Sequence, residues 1–265
     1  MLSRKLRLAF LLVAGALGIA AAQTPSESPG YSRVEKKAYF FKEAATEMDY
    51  LIFVSSRYRQ GEPTPLIVAL HGSGSSPNEI IYIRGLTGQA EQRGYIVVAP
   101  WGLNAYGGYG NRQGRSDNRP NDPENAGELS ELDVMNVLAI VRKEYSIDAR
   151  RIYLLGHSMG GSGAVYLAAK YPELWAGLAL FAPGGGATVE RLALIRSKPV
   201  ILYHGQMDRN ISVRASRTLA EGMKTLGMTY EYHEISGGDH SNVVGYMPQN
   251  VRRVFEFFED TFSKP

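Results

Sequence analysis

The stretch "LLGHSMGGSGA", Leu154–Ala164, places one serine between closely spaced glycines, directly after a run of strand-forming residues. Its centre, "GHSMG", has the pattern glycine, any residue, serine, any residue, glycine. That pattern is typical of a nucleophile elbow, a sharp turn between a strand and a helix that lifts the serine above a sheet. Glycine tolerates the close backbone approach that such a turn requires. The stretch therefore predicts Ser158 as a nucleophile.

Hydrophobic patterning around this stretch predicts an α/β protein. The middle strand-like segments are continuously apolar, as expected of parallel strands covered on both faces. The predicted strands are "KAYFF", "DYLIFV", "PLIVALHG", "YIVVAP", "RIYLLG", "GLALFAP", "PVILYHG" and "YEYHEI". The predicted helices are Glu131–Tyr145 with Ser130 as N-cap, Gly161–Lys170, Ser212–Leu226 and Gln249–Phe262. We expect a mostly parallel, eight-stranded, doubly wound sheet.

Composition fits one domain with a large core, expected over residues 37–265. The chain has 265 residues, of which 44% are hydrophobic and 21% are charged. Its formal charge is +3, but three of its 29 basic residues lie within the first 22, which leaves 26 basic against 26 acidic residues. A balanced body does not indicate a nucleic-acid partner.

No metal and no organic cofactor are expected. The sequence has no cysteine, which excludes disulfides and thiolate metal sites, and it has no HExxH motif. The segment "GGYGNRQG" lacks the lysine of a phosphate-binding loop and does not join a strand to a helix.

The first 22 residues are predicted to be a signal peptide. A basic start precedes the apolar run "LAFLLVAGALGIAAA", and Ala20 and Ala22 stand at A-x-A spacing before Gln23. The alternative is an uncleaved membrane anchor, but the run is short for a span of about 20 residues. We expect residues 23–36 to be a flexible mature N-terminus. The protein is then secreted or periplasmic, with no stable membrane insertion after cleavage.

A serine nucleophile needs a base, and the base needs an acid. Of the five histidines, His240 lies in "SGGDHSN", a loop rich in turn formers after the last predicted strand. Asp208 follows the strand "PVILYHG" by three residues and is predicted to emerge at the carboxyl end of the sheet. Asp239, which adjoins His240, is the alternative acid. The order Ser158, Asp208, His240 is that of α/β-hydrolases.

A tetrahedral oxyanion needs two hydrogen-bond donors. One is predicted to be the N–H of Met159, the residue after the nucleophile. The other is predicted in "HGSGSS", after the strand "PLIVAL", with the Ser73 N–H as donor and Gly72 as its neighbour.

The segment Trp101–Gly127 is long, polar and rich in glycine and asparagine. Loops of this length inside a compact domain are usually functional or disordered. Trp101, Tyr106 and Tyr109 are therefore candidates for an aromatic substrate-binding wall. The alternative is a solvent-exposed excursion.

From about Lys37 to Phe262 the chain resembles the α/β-hydrolase superfamily. The resemblance rests on "LHGSGSS", "IYLLGHSMGG", "HGQMD" and "GGDHSN", which follow one another in the expected order and spacing. Within the superfamily the chain is similar to a group of secreted esterases. That group includes feruloyl and acetylxylan esterases, polyhydroxybutyrate depolymerases and prolyl-oligopeptidase-like proteins.

The resemblance implies the site roles: Ser158 as nucleophile, Asp208 as acid, His240 as base, and Ser73 and Met159 as oxyanion donors. No large lid domain is expected, because "GLALFAPGGG" runs directly into the short helix-like "TVERLALIRS". An open cleft suits a bulky substrate or the end of a polymer better than an interfacial lipid. The expected partner is a small-molecule or polymer-end ester.

The sequence thus predicts a secreted serine hydrolase that cleaves carboxylic esters through an acyl-enzyme. A serine peptidase or an acyltransferase using the same triad is the nearest alternative. A non-catalytic binding protein on a hydrolase scaffold is disfavoured, because all three triad members are present.

Overall fold

The computed structural model of the protein describes residues 31–111, 121–245 and 247–263. Across these residues eight strands form one sheet, in the order β1-β2-β4-β3-β5-β6-β7-β8. The strands are β1 Val34–Phe41, β2 Thr46–Val54, β3 Thr64–Leu70, β4 Ile96–Pro100, β5 Ile147–His157, β6 Gly177–Phe181, β7 Val200–Gly205 and β8 Tyr230–Ile235. The helices are α1 Pro77–Ile81, α2 Leu86–Arg93, α3 Ala126–Glu144, α4 Met159–Lys170, α5 Val189–Leu194, α6 Arg214–Thr225, α7 Asn242–Gly245 and α8 Pro248–Phe262. The predicted fold class is confirmed.

The strand order reverses beside β3. The pairs β1–β2 and β2–β4 are antiparallel, whereas the remaining neighbours are parallel. After β3 the chain moves to β4 on one side, and β5 then pairs on the other side, with Leu70 opposite Gly156. Ligands of open α/β sheets bind at such a switch point, outside the carboxyl ends of the strands. The loops after β3 and β5 therefore meet at the expected place for a site.

Both faces of the sheet are buried, which explains the continuously apolar strands. In β5, Ile152 and Leu154 pack with α3–α6, whereas Tyr153 and Leu155 pack with α1, α2 and α8 on the other face. Each fully buried side chain of this size stabilises the fold by about 1.5–3 kcal/mol. The resulting rigid sheet fixes the positions of the loops at its carboxyl edge.

The domain begins earlier than predicted. Strand β1 starts at Val34, within the segment expected to be flexible, because Val34 pairs with Phe53 of β2. The predicted signal peptide, residues 1–22, lies outside the described residues, as do residues 23–30. Within the described ranges, no helix is both long and apolar enough to cross a membrane.

Helix α3 also begins earlier than predicted, at Ala126, so Ser130 lies inside the helix and does not cap it. Its buried Oγ donates to the Gly102 carbonyl at 2.7 Å and accepts the Tyr109 N–H at 2.9 Å. Ser130 therefore anchors the loop after β4, a role that depends on tertiary contacts rather than on local sequence.

The connection from β6 to β7 contains a single short helix, α5, of six residues. No lid domain is inserted there, as the sequence predicts.

Candidate active site

Ser158 stands at the turn between β5 and α4 with a strained backbone, at φ 54° and ψ −114°. Non-glycine residues adopt such angles only where their surroundings impose them. Its N–H donates to the Phe181 carbonyl at 2.9 Å, and its own carbonyl accepts the Ser162 and Gly184 N–H groups, both at 3.1 Å. The turn thus has the geometry of the predicted elbow.

The glycines of the motif are required by packing. A Cβ on Gly156 would lie 2.2 Å from the Gly160 carbonyl oxygen, and one on Gly160 would lie 2.1 Å from the Leu70 carbonyl oxygen. Both distances are far below van der Waals contact. Only glycine at these two positions allows β3, β5 and the start of α4 to approach this closely.

Gly160→Ala is therefore expected to destabilise the protein by about 3 kcal/mol, because backbone atoms of β3 would have to move. Gly185→Ala is the matched control, because nothing lies within 4 Å of a Cβ there. Urea unfolding of both variants measures the difference. Equal stability of the two variants would contradict the packing argument.

Asp208 and His240 are brought together after β7 and β8. His240 Nδ1 donates to Asp208 Oδ2 at 2.7 Å, and Asp208 Oδ1 accepts the Asn210 and Ile211 N–H groups, both at 2.8 Å. Burial by itself raises the pKa of Asp208, but the bonds from Ile211, His240 and Asn210 outweigh it and lower the pKa below its usual value. The carboxylate is therefore ionised and directed at the imidazole.

Sequence reasoning missed His204, which also contacts this carboxylate. The side chain is fully buried, and Nε2 lies 3.1 Å from Asp208 Oδ2 and 3.0 Å from the Ile211 carbonyl. Its Nδ1 lies 2.7 Å from Ser216 Oγ. The sequence feature that could have indicated this contact is a histidine at the end of β7, four residues before Asp208.

Asp239 makes different contacts. Its Oδ1 accepts the N–H groups of Ser241 and Asn242, at 2.9 and 2.8 Å. The structure thus directs the Asp208 carboxylate at the His240 ring, and directs the Asp239 carboxylate at the backbone of its own loop.

The two predicted oxyanion donors, Ser73 and Met159, line the same cavity as Ser158, with a volume of about 340 Å³. Met159 is the first residue of α4, where an N–H has no acceptor within the helix. The Gly72 N–H is already used, because it donates to Glu79 Oε2 at 3.2 Å. Within the described part of the chain, no acceptor competes for the Ser73 N–H, and Ser73 lines the cavity beside Ser158, so it stays the predicted second donor.

Two cavities flank the triad. The first is also bounded by Gly184, Gly185, Gly186 and Ile211. The second, of about 520 Å³, contains His240 with Met207, Arg209, Asn210 and Asp239.

Sequence analysis missed the glycines of the first cavity, although "APGGG" directly after a buried strand was a signal for a close approach to a ligand.

The structure corrects the role of Tyr109. Its side chain has no exposed surface, packs against Gly163 and donates from its hydroxyl to the His71 carbonyl at 3.3 Å, so it cannot contact a substrate. Trp101 borders a separate cavity of about 360 Å³ with Met48 and Leu103.

Tyr106 is half-buried over Gly74, whose Cβ position lies 3.3 Å from the Tyr106 hydroxyl. The three aromatic residues therefore do not form one wall beside Ser158. Residues 112–120 of the same loop lie outside the described residues.

Comparisons with known proteins identify the family of the chain. A family model described as "Putative esterase" matches residues 43–188, more than half of the chain. Feruloyl esterase B of Neurospora crassa is 26% identical over 254 aligned positions, covering 75% of this chain and 81% of that protein. A bifunctional acetylxylan esterase/xylanase of Neocallimastix patriciarum is 28% identical over 146 residues, covering 55% of this chain.

A solved structure of a thermostable esterase superimposes with a TM-score of 0.65 at 24% identity, covering 87% of this chain. At that identity the match supports the fold alone. The matched region covers 63% of the thermostable esterase chain and 19% of the Neocallimastix enzyme.

Proposed function

We propose that the chain, which belongs to the esterase family and is a carboxylic ester hydrolase, works through a Ser158–His240–Asp208 triad. The reaction then passes through an acyl-enzyme. The observation that carries the proposal is the 2.7 Å bond from His240 Nδ1 to the buried Asp208 carboxylate. It occurs at the same edge of the sheet as the strained serine.

The hydrogen bond to Asp208 fixes the His240 tautomer. With the proton on Nδ1, the lone pair of Nε2 is available to accept the Ser158 proton. Ser158 Oγ then attacks the ester carbonyl, and the carbonyl oxygen becomes an oxyanion held by the N–H groups of Ser73 and Met159. As the tetrahedral intermediate collapses, the imidazolium returns its proton to the departing alcohol oxygen. Water repeats these steps on the acyl-enzyme and releases the acid.

This proton path assigns the two cavities. The alcohol must leave beside His240, because His240 protonates it, so the cavity containing Arg209, Asn210 and Asp239 receives the alcohol. The acyl group occupies the smaller cavity between Ser158 and Gly184–Gly186, beside the oxyanion donors. The charged and amide groups around the alcohol cavity favour a polar alcohol.

We propose that the substrates are esters of short or planar acyl groups, such as acetyl or hydroxycinnamoyl, with carbohydrate-like alcohols, either small molecules or polymer ends. The cavity volumes and polarity support this class, as do the names of the two relatives. We propose secretion or periplasmic export after removal of residues 1–22, on the basis of the basic and apolar pattern of that segment.

A substrate panel tests the proposal. The panel comprises acetyl, feruloyl and octanoyl esters, each of methanol and of a pentose, together with a peptide anilide. We expect kcat/KM for the acetyl and feruloyl esters to exceed that for the octanoyl esters by at least about tenfold. The pentose esters should be cleaved more efficiently than the methyl esters. Preference for the anilide would instead indicate a peptidase, and transfer to added alcohol over hydrolysis would indicate an acyltransferase.

A variant pair separates the alcohol cavity from general effects. Arg209→Ala should raise KM by about tenfold for pentose esters but not for methyl esters, because a charged donor to the sugar is lost. Arg214→Ala, at an exposed position outside that cavity, is the control. Equal effects of Arg209→Ala on both alcohols would contradict the assignment.

A further inference from the structure

Two side chains outside the triad connect three loops of the site. Glu79, on α1, lies with Oε1 3.1 Å from His157 Nδ1, and its Oε2 accepts the Gly72 N–H of the oxyanion loop at 3.2 Å. His157 lies in the elbow, and its Nε2 is 2.9 Å from the His240 carbonyl. The His157 side chain is only 4% exposed. The oxyanion loop, the elbow and the loop carrying the base are thus joined through one pair.

The contacts of both His157 ring nitrogens favour its protonated form. Burial by itself raises the pKa of Glu79, but the bond and the charge of His157, together with bonds from Gly72 and Ser75, lower it to about 2. Glu79 is therefore an acceptor only, and so is the His240 carbonyl. A neutral imidazole has one N–H and satisfies one of them. His157 satisfies both only as the imidazolium, with Glu79 as its counter-ion.

We infer that the Glu79–His157 ion pair is a positioning pair for the reaction, which holds His240 and the oxyanion donor of the Ser73 segment in register with Ser158. The inference rests on the proposed triad and adds two residues to it. Without the pair, the partly buried His240 carbonyl and the Gly72 N–H would lose their partners, and both loops would relax. Neither side chain lines the acyl or the alcohol cavity among the described residues.

The first test is Glu79→Gln, with Glu91→Gln as the matched control. Glu91 also accepts from a backbone N–H and a serine hydroxyl, both of Ser56, but on α2 away from the site. We expect kcat of Glu79→Gln to fall by about ten- to a hundredfold with KM changed less than about threefold, because misplaced groups slow the chemical step. Glu91→Gln should leave kcat within about twofold.

The second test is the pH profile of His157→Gln, which a purely structural role would not move. In the wild type, kcat/KM should rise with pH as His240 loses its proton. The His157 and His240 ring centroids are 4.9 Å apart. Among the described residues, the other charged or titratable groups that the structure places around His240 are Asp208 with His204 behind it, Arg209 and Asp239 in its cavity, and Glu79 beyond His157. Removing the His157 cation should move the midpoint of the pH profile upward, because a positive charge near His240 is lost.

Three outcomes decide the inference. The double variant should lose no more kcat than the worse single variant, because the two groups act as one unit. Unchanged kcat in Glu79→Gln overturns the positioning role, and an unmoved midpoint in His157→Gln overturns the cationic state. If His157→Gln does not fold, Glu79→Gln still decides the positioning role. If the proposed triad itself is wrong, Ser158→Ala should keep full activity, and this result is measured separately.

Discussion

Replacing Ser158 with alanine should lower kcat by on the order of a millionfold and leave the protein folded. The hydrogen bonds that hold the elbow are formed by the backbone N–H and carbonyl of Ser158. Removing the side-chain hydroxyl should therefore leave the turn intact. Alanine also relieves no strain, because the φ of 54° persists. Steady-state kinetics on an acetyl ester, with thermal melting as a check on folding, measures the effect.

Ser162→Ala is the matched control, because Ser162 lines the same cavity one turn further along α4. Its hydroxyl lies 3.4 Å from the Ser158 carbonyl, so its loss should change kcat by less than about tenfold. Activity of Ser158→Ala within tenfold of the wild type would remove Ser158 from the mechanism.

Replacing Asp208 with asparagine should lower kcat by about ten-thousandfold. An amide carries no charge to stabilise the imidazolium, and its NH₂ group can face the His240 ring, which favours the wrong tautomer. The two backbone N–H groups that Oδ1 accepts can still bond to the amide oxygen, so the loop should keep its shape. The rate constants should therefore change far more than the melting temperature.

Asp239→Asn is the control for this loss. Its carboxylate accepts backbone N–H groups of its own loop, so the substitution should cost much less activity. The reverse ranking of the two variants would transfer the role of acid to Asp239.

The fold was predictable because its determinants are local. Apolar runs such as that of β5 identify strands covered on both faces, and the glycine spacing around Ser158 identifies the elbow without any knowledge of distant residues. The order of Ser158, Asp208 and His240 along the chain adds a topological constraint. The roles of these residues stay predictions until the variants are measured.

Other features depended on contacts between distant segments and were not predictable. Glu79 and His157 are 78 positions apart, and nothing near either residue indicates that the two meet. Tyr109 lies in a polar, glycine-rich segment that predicts exposure, yet the small surface of Gly163 allows its ring to be completely buried. Ser130 resembles an N-cap locally but lies within α3, because that helix extends back to Ala126.

The most direct test of the central claim is to locate the covalent adduct by peptide mass spectrometry after reaction with a fluorophosphonate. We expect one adduct per chain, on the peptide containing Ser158, formed by the folded wild type but not by the denatured protein or by Ser158→Ala. An adduct on another serine, or an active enzyme that forms no adduct, would contradict that claim.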